Sequence, residues 1–434
     1  MADRELCQRM REDWNRRARE DAKYYVAFGR RGQDDEEFFA SGRELAQTLA
    51  REFRRLPPGN PRARRVLEIG CGLGRLMMHL AVHCGEIHGV DVSDEMVRLA
   101  REKLAGIPHA HVHVNSGADL APFADDSFDF LYSYAVFQHI PSRQTVFCYL
   151  KEAWRVLKPG GVFRFQLNGL PGMTEGADTW YGVSISAEEI AWFARENDFQ
   201  LLALEGAGTQ YQWVTVRKRA PGWFASLERT EPRASSRILR ITNAYSSEPV
   251  AAARGRFAAA SLWLENAPED CDLNSLLALV AGKQARAAYL GPPHHGLVQL
   301  NIELPAGVPS GLQPIELFWL GRPLAPPAFL RVIPPPPPGP PPPAGRGAGD
   351  LLAGPGNGRG AVRVVLEEVA NPECVEAWLG GQPVPSRQIA CVESRTPTHV
   401  LTFPLPPGTR PGEHVLEIRL GRRRFPPIRL EVMA

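Results

Sequence analysis

The run Val66-Leu67-Glu68-Ile69-Gly70-Cys71-Gly72-Leu73-Gly74-Arg75 constrains this chain more than any other stretch. A short apolar run reads as a buried strand and ends directly in a glycine-rich turn. Apolar residues at helical spacing (Leu76, Leu80, Ala81) follow at once. Strand, glycine turn and helix make a nucleotide-binding corner, because glycines permit a tight turn and let backbone N–H groups approach a ligand closely. A pyrophosphate-holding corner wants G-x-G-x-x-G. Here the pattern is Glu-x-Gly-x-Gly-x-Gly, with Glu68 inside the strand end. A carboxylate beside the ligand disfavours phosphate and favours a cation. A second acid, Asp91, closes the strand-like run Gly89-Val90-Asp91-Val92 and is placed to accept both hydroxyls of a ribose.

At this point NAD and S-adenosylmethionine remain competitors; two later signals separate them. Phe128-Asp129-Phe130-Leu131-Tyr132 is a strand preceded by the acidic turn Asp125-Asp126-Ser127, and Phe137-Gln138-His139-Ile140-Pro141 and a helix follow. Then Trp154-Arg155-Val156-Leu157-Lys158-Pro159-Gly160-Gly161 turns into the strand Val162–Leu167. This ordered set, spanning roughly residues 60–218, resembles the class I S-adenosylmethionine-dependent methyltransferases of the small-molecule type. The resemblance implies that the glycine turn (Glu68, Gly70, Gly72, Gly74) cradles the methionine part of S-adenosylmethionine and that Asp91, with Val92 beside it, holds the ribose. Met96 covers the adenine or fills the core. After the third strand the family often shows a Gly-Asp pair at the adenine amino group. Here Asn115-Ser116-Gly117-Ala118-Asp119-Leu120 stands instead, so the contact falls to Asp119 or to the backbone of Gly117 or Ala118. Ser133 and Tyr134 fall where the family lines the methyl-transfer mouth. Tyr134 and His139 are the candidate catalytic groups. A histidine suits a general base, while Gln-His-Ile-Pro before a helix also suits a cap or a substrate wall.

The fold implied is an α/β Rossmann-like methyltransferase domain, a mostly parallel seven-stranded sheet, followed by two all-β sandwich domains. Alternating strands and helices mean a parallel sheet covered on both faces. Strands are expected at about 65–70, 86–92, 110–115, 128–134, 161–167, 199–205 and 210–217, with the last antiparallel. Ser186-Ala187-Glu188-Glu189 is a capping box opening a helix to about Asn197. Residues 1–62 read as a helical cap in two pieces, the first carrying Trp14, Tyr24, Tyr25 and Phe28, the second running from about Asp35 to Phe53. Tyr24 and Tyr25 either close the pocket or dock the helix on the sheet. The methyltransferase domain spans 63–219. The insertion 168–185, with Asn168, Trp180 and Tyr181, reads as a substrate lid or as a loop packed on the N-terminal helices.

Beyond Arg219 proline, glycine and short β-like runs dominate, and the chain repeats itself. Leu304–Gly311 matches Leu405–Gly412, Leu320-Gly321-Arg322 matches Leu420-Gly421-Arg422, and Pro326-Pro327 matches Pro426-Pro427. Short strands with spaced turn signals argue for two β-sandwich modules at about 236–333 and 361–434, similar to immunoglobulin-like or IPT-type domains. The 334–360 stretch between them reads as a stiff polyproline run followed by a flexible glycine-rich tether.

With 434 residues the chain is too long for one compact domain. Its net charge of +2 argues against a nucleic-acid surface. Only six of the 50 basic residues are lysine, and the arginines are scattered. The seven cysteines are widely spaced with no C-x-x-C pair, so no zinc site is expected. His109, His111 and His113 lack a carboxylate at ligand spacing and read as a solvent-facing strand edge. The charged N-terminus and the lack of an 18-residue apolar run predict neither signal peptide nor membrane span, and a cytoplasmic location. The expected partners are a small-molecule, glycan or lipid-linked acceptor, with protein docking or self-association through the β-modules. A catalytically degenerate cofactor-binding scaffold and a protein methyltransferase remain the rival readings.

Overall fold

The computed structural model describes residues 4–27, 31–172, 178–227, 236–255, 257–334, 351–352, 361–366, 369, 372–385, 388–393, 398–421 and 423–432. Phe28, Arg422 and nearly all of the proline- and glycine-rich tether lie outside the described residues. The chain divides into two compact units. Unit 1 holds Met1–Glu231 with Glu269–Asn274 and Tyr289–His294, and unit 2 holds Pro232–Pro268, Ser275–Ala288 and His295–Ala434.

Unit 1 opens with α1 (Arg4–Ala27), α2 (Asp35–Ala40) and α3 (Arg43–Glu52). α1 bends at Asp21, whose carboxylate accepts the Tyr24 N–H and so restarts the helix. The second expected piece is two helices, broken at Ser41-Gly42. Then come β1 (Arg65–Ile69), α4 (Met77–Leu80), β2 (Glu86–Asp91), α5 (Asp94–Lys103), β3 (Ala110–Val114) and β4 (Phe128–Ser133). α6 (Arg143–Val156), β5 (Leu157–Leu167), α7 (Ala187–Glu196), β6 (Phe199–Glu205), β7 (Gln212–Lys218) and α8 (Trp223–Leu227) complete the run. Serines start the helices that flank the site: Ser93 caps α5, Ser142 caps α6, and Ser186 forms the full capping box with Glu189 at α7.

The sheet order is β3-β2-β1-β4-β5-β7-β6. β3, β2, β1, β4 and β5 are mutually parallel; β7 runs antiparallel to both β5 and β6. The Lys158-Pro159-Gly160-Gly161 turn is absorbed into β5, where a register shift against β4 accommodates it. One face carries a core of Leu67, Phe163, Phe165 and Leu201 with Val146 and Leu150 of α6 and Ile190 and Phe193 of α7. The opposite face packs Val66, Ile87, Phe130 and Tyr132 against Leu49, Leu80 and Val97. Such a sheet reverses strand order between β1 and β4, and a crevice opens there at the carboxyl ends of the strands.

Unit 2 is strand-rich, and its sequence repeat recurs as a pairing pattern. Gly311–Trp319 pairs antiparallel with Leu276–Val280 and with Ala328–Ile333 and turns back on Arg322-Pro323. Gly412–Leu420 likewise pairs with Val375–Leu379 and Ile428–Val432 and turns back on Arg423-Arg424. Leu276 faces Trp319 as Val375 faces Leu420, and Gly311 faces Val332 as Gly412 faces Val432. Val364, Leu401, Phe403, Leu416 and Ile418 form a separate core in the second copy.

The three strand histidines are not a plain solvent edge. His88 of β2, which the sequence reading passed over, is buried and stacks on His113 with centroids 5.6 Å apart and planes at 12°. His111 is exposed, and His109 precedes the strand, its Nε2 3.0 Å from the Ala81 carbonyl. Among the described residues no group of three histidines, cysteines or carboxylates is placed to hold a metal ion.

Candidate active site

β1 and β2 deliver the two halves of a cleft. The Gly70 and Cys71 N–H groups both donate to the Val90 carbonyl, which ties the glycine turn to the end of β2. Gly70 and Gly72 take φ of +72° and +52°, the left-handed region that side chains avoid. A Cβ at Gly70 would stand 2.3 Å from the Val136 side chain, and one at Gly72 would stand 2.8 Å from Val26. Asp91 accepts the Gly72 N–H at Oδ2 and the Ser93 N–H at Oδ1, both at 2.9 Å. Burial pushes its carboxyl up, and those backbone donors pull it back. Each oxygen keeps a lone pair for a ligand hydroxyl.

The cleft is lined by Gly70, Gly72, Asp91, Val92 and Met96 from this corner, by Tyr134, Ala135 and His139 after β4, and by Trp14, Tyr25 and Val26 of α1. Asn115 and Tyr149 line it too. Asn115 was not singled out as a site residue in the sequence, yet its Nδ2 donates to Tyr149 Oη and to the Asp119 carbonyl while its buried Oδ1 has no partner among the described residues. A buried acceptor without a donor is costly unless a ligand supplies one.

Several sequence candidates lie off the cleft. Glu68 is buried behind the turn and accepts from Tyr132 Oη at 2.8 Å. Loss of solvation pushes its carboxyl up to about 8, so near neutral pH it is mostly protonated and offers no charge to a ligand. Gly74 packs on Leu104. Ser133 donates to the Ile69 carbonyl at 3.0 Å and so ties β4 to β1. Gly117 abuts Val92, Ala118 is buried, and Asp119 caps its own loop at the Ala121 N–H.

A second cavity of about 690 Å³ shares Tyr25, Val26, Tyr134, Ala135 and His139 with the cleft and adds Arg75, Gln138, Asn168, Trp180, Tyr181 and Tyr211. Ala135 lines it with φ of +55°, a conformation that a non-glycine residue holds only when its surroundings impose it. Here the Ala135 N–H donates to Oε1 of the buried Gln166, whose Nε2 donates to Gln138 Oε1 at 3.0 Å. Gln138 Nε2 lies 3.3 Å from His139 Nε2. His139 Nδ1 is 2.7 Å from the Trp180 carbonyl, so Nδ1 carries the proton and Nε2 accepts. Burial lowers the His139 pKa to about 4, against the pull of that hydrogen bond. The ring packs against both Trp14 and Trp180, with centroids at 5.5 and 5.0 Å.

α1 is seated over both spaces by polar contacts. Asn15 Oδ1 accepts from Ser93 Oγ and from the Glu95 N–H, and Arg11 donates to the Asn115 carbonyl at 2.9 Å. Arg17, with its guanidinium 4.8 Å from the Trp14 ring and 5.3 Å from that of Trp180, donates to the Thr179 carbonyl.

Residues 67–165 match the family described as Methyltransferase domain. A sterol 4-C-methyltransferase of Caenorhabditis elegans is 35% identical over 99 residues, 22% of this chain and 29% of that protein. A malonyl-[acyl-carrier protein] O-methyltransferase of Erwinia pyrifoliae is 30% identical over 162 residues, 37% of this chain and 57% of that protein. The chain thus spans well under two thirds of the length of either relative. A crystal structure of a SAM-dependent methyltransferase from Aquifex aeolicus aligns over 40% of this chain and 97% of that one, with 19% identity and a TM-score of 0.30. The matched segment is a methyltransferase domain, and S-adenosylmethionine is the cofactor of such a domain.

The donor set of the cleft fits that cofactor. Asp91 and Asn115 Oδ1 present acceptors, which suit ribose hydroxyls and an adenine amino group and repel a pyrophosphate. The open volume of the cleft is only about 90 Å³, below the ~300–1,000 Å³ of sites that enclose a small ligand. Tyr25 and Val26 of α1 form part of the wall that narrows it.

Proposed function

We propose that this chain transfers the methyl group of S-adenosylmethionine to a small molecule held in the 690 Å³ cavity. The observation that carries the reading is the shared wall: Tyr134, Ala135 and His139 border both the cleft beside Asp91 and the larger cavity. In this reading Gly70 and Gly72 cradle the methionine end, Asp91 binds the ribose, and Met96 and Asn115 contact the adenine. Bound there, S-adenosylmethionine supplies a carbon already activated on a sulfonium. Held by those residues, the cofactor would give up its methyl with the C–S electron pair left on sulfur, while a lone pair of the acceptor atom would form the new bond. Any proton displaced from that atom passes to His139 Nε2 or to solvent. The chain's own work is to align the acceptor and to keep water out, which α1 and the segment around Trp180 and Tyr181 are placed to do.

We assign 63–219 as the methyltransferase domain and 1–62 as its cap. The two copies of the strand repeat, 236–333 and 361–434, are read as β-sandwich modules that present the acceptor or dock a partner. No helix among the described residues is long and apolar enough to cross a membrane. Widely spaced cysteines suit a reducing compartment, and we place the chain in the cytoplasm.

Calorimetric titration of the full chain with S-adenosylmethionine, S-adenosylhomocysteine and NADH tests the reading. Micromolar binding of the first two alone is expected. Binding of NADH, or of none by a folded sample, would sink it.

A further inference from the structure

We infer that the acceptor carries a carboxylate on a flat apolar body, and that Arg75 is the residue that grips this carboxylate. The inference rests on the methyltransferase reading above and deepens it.

Arg75 follows the glycine turn directly, is 7% exposed and lines the larger cavity. Among the described residues its one hydrogen bond runs from Nη1 to Ser41 Oγ at 3.2 Å, and its buried Nε finds no acceptor there. Among the described residues no carboxylate lies within 4.0 Å of its guanidinium. Glu68 is the acid whose field reaches it, but that carboxyl makes no ion pair with the guanidinium and is held by Tyr132, and burial favours its protonated form. An arginine keeps its charge, and a buried cation without a counter-charge is expensive. The fold nevertheless makes room for this one. A Cβ at Gly42 would stand 2.9 Å from the Arg75 carbonyl oxygen and 3.0 Å from its Cγ, although Gly42 has an ordinary helical φ of −84°. Space for Arg75, not backbone freedom, is what glycine provides at that position.

The charge count in the cavity selects the ligand. Arg75 is the one permanent cation among the described lining residues, since His139 is neutral; the other polar groups are hydroxyls and amides. One positive charge in a planar fork matches a monoanion, and a carboxylate completes it with charge-assisted hydrogen bonds. The remaining wall asks for an apolar body. Tyr134 lies 6.0 Å from the guanidinium and stacks on Trp213 at 5.6 Å and 6°. Tyr25, Trp180 and Tyr211 add further ring faces, and Tyr181, 60% exposed, stands at the rim.

The test uses the full chain loaded with S-adenosylhomocysteine. Benzoate, trans-cinnamate, indole-3-acetate and octanoate are titrated against the primary amide of each, with phenyl phosphate as a dianionic control. At least one acid is expected to bind about 10- to 100-fold more tightly than its amide. Arg75→Met should remove that preference, and Arg75→Lys should keep part of it. The proposal is overturned if no acid outbinds its amide, if the preference survives Arg75→Met, or if phenyl phosphate binds tightest. S-adenosylhomocysteine affinity reports separately: its retention in both variants shows an intact corner, and its absence in the unaltered chain counts against the methyltransferase reading instead.

Discussion

Glu68 and His139 are displaced in opposite directions by the same cause, removal from water. The Glu68 carboxyl titrates near 8 in the folded chain, against 4.5 when exposed. The folded state therefore holds a proton that the unfolded state has lost between those values, and stability falls as pH rises through that window. The slope approaches about 1.4 kcal/mol per pH unit. Glu68→Gln keeps an acceptor for Tyr132 without the proton, so its Tm should gain on the parent steadily from pH 5 to pH 8; parallel Tm curves would refute the assignment. His139 runs the other way: stability held above 6.5 is lost as pH falls toward 4, because only the unfolded ring takes the proton. As a base it is already unprotonated at pH 6, so the acceptor-saturated rate should be flat from pH 6 to 8, and a rise of tenfold across that range would point to another group. At Asp91 the carboxylate is held by two backbone donors. Asp91→Ala should weaken S-adenosylhomocysteine by about 10- to 100-fold, the worth of hydrogen bonds to a charged group; unchanged affinity in calorimetry would remove the ribose assignment.

At the scale of elements, α1 decides whether the cleft is open. Asn15 bonds to Ser93 and the Glu95 N–H, while Tyr25 and Val26 lie over the glycine turn. With only about 90 Å³ open in the cleft and Tyr25 and Val26 in its wall, cofactor binding is expected to displace the end of α1. Val26→Ala removes part of the obstruction and should speed cofactor association several-fold in stopped flow, with little loss of Tm because Val26 is only half-buried; an unchanged rate would mean that the cofactor enters without moving α1. The strands and helices of unit 1 were legible because each is written locally. Apolar runs, helical spacing, the Ser186 capping box and glycine turns marked element bounds that agree with the structure within a few residues, apart from the start of β5 and the split of the second helical piece. The wall of the cleft was less legible. Asn115 meets Tyr149 across 34 residues, and the chain Ala135–Gln166–Gln138–His139 exists only once β4 and β5 lie side by side. No local pattern announces a glutamine that serves a residue on the next strand. His88 was missed for the same reason, since its partners come from the register of β2 on β3.

At the scale of the molecule, the boundary drawn at residue 219 separates segments that the fold keeps together. Unit 1 takes in Glu269–Asn274 and Tyr289–His294. Gln200, buried on β6, donates through Nε2 to the Glu269 and Cys271 carbonyls at 2.7 and 2.9 Å, and the Leu273 N–H returns a bond to the Leu201 carbonyl at 2.9 Å. Arg55, 3% exposed, pairs with Glu52, donates to the Leu290 carbonyl at 2.6 Å and lies over the Tyr289 ring at 5.2 Å. A chain ending at Leu227 keeps every strand of the seven-stranded sheet but loses these acceptors. Water replaces the lost partners, so each of these four hydrogen bonds is worth about 0.5–1.5 kcal/mol net. Together they amount to about 2–6 kcal/mol, and for a unit of this size each kcal/mol moves Tm by about 2–4 °C. The shortened chain should therefore melt at least ~4 °C below unit 1 in the full protein, or fail to stay soluble. A Tm equal to the full chain's would show that the segments merely rest on β6. Gln200→Ala in the full chain separates this cause from the loss of unit 2. It deletes the side chain and leaves the two carbonyls to find water, so it should reproduce part of the drop while S-adenosylhomocysteine affinity stays unchanged, because β6 lies at the far edge of the sheet from the β1–β4 crevice.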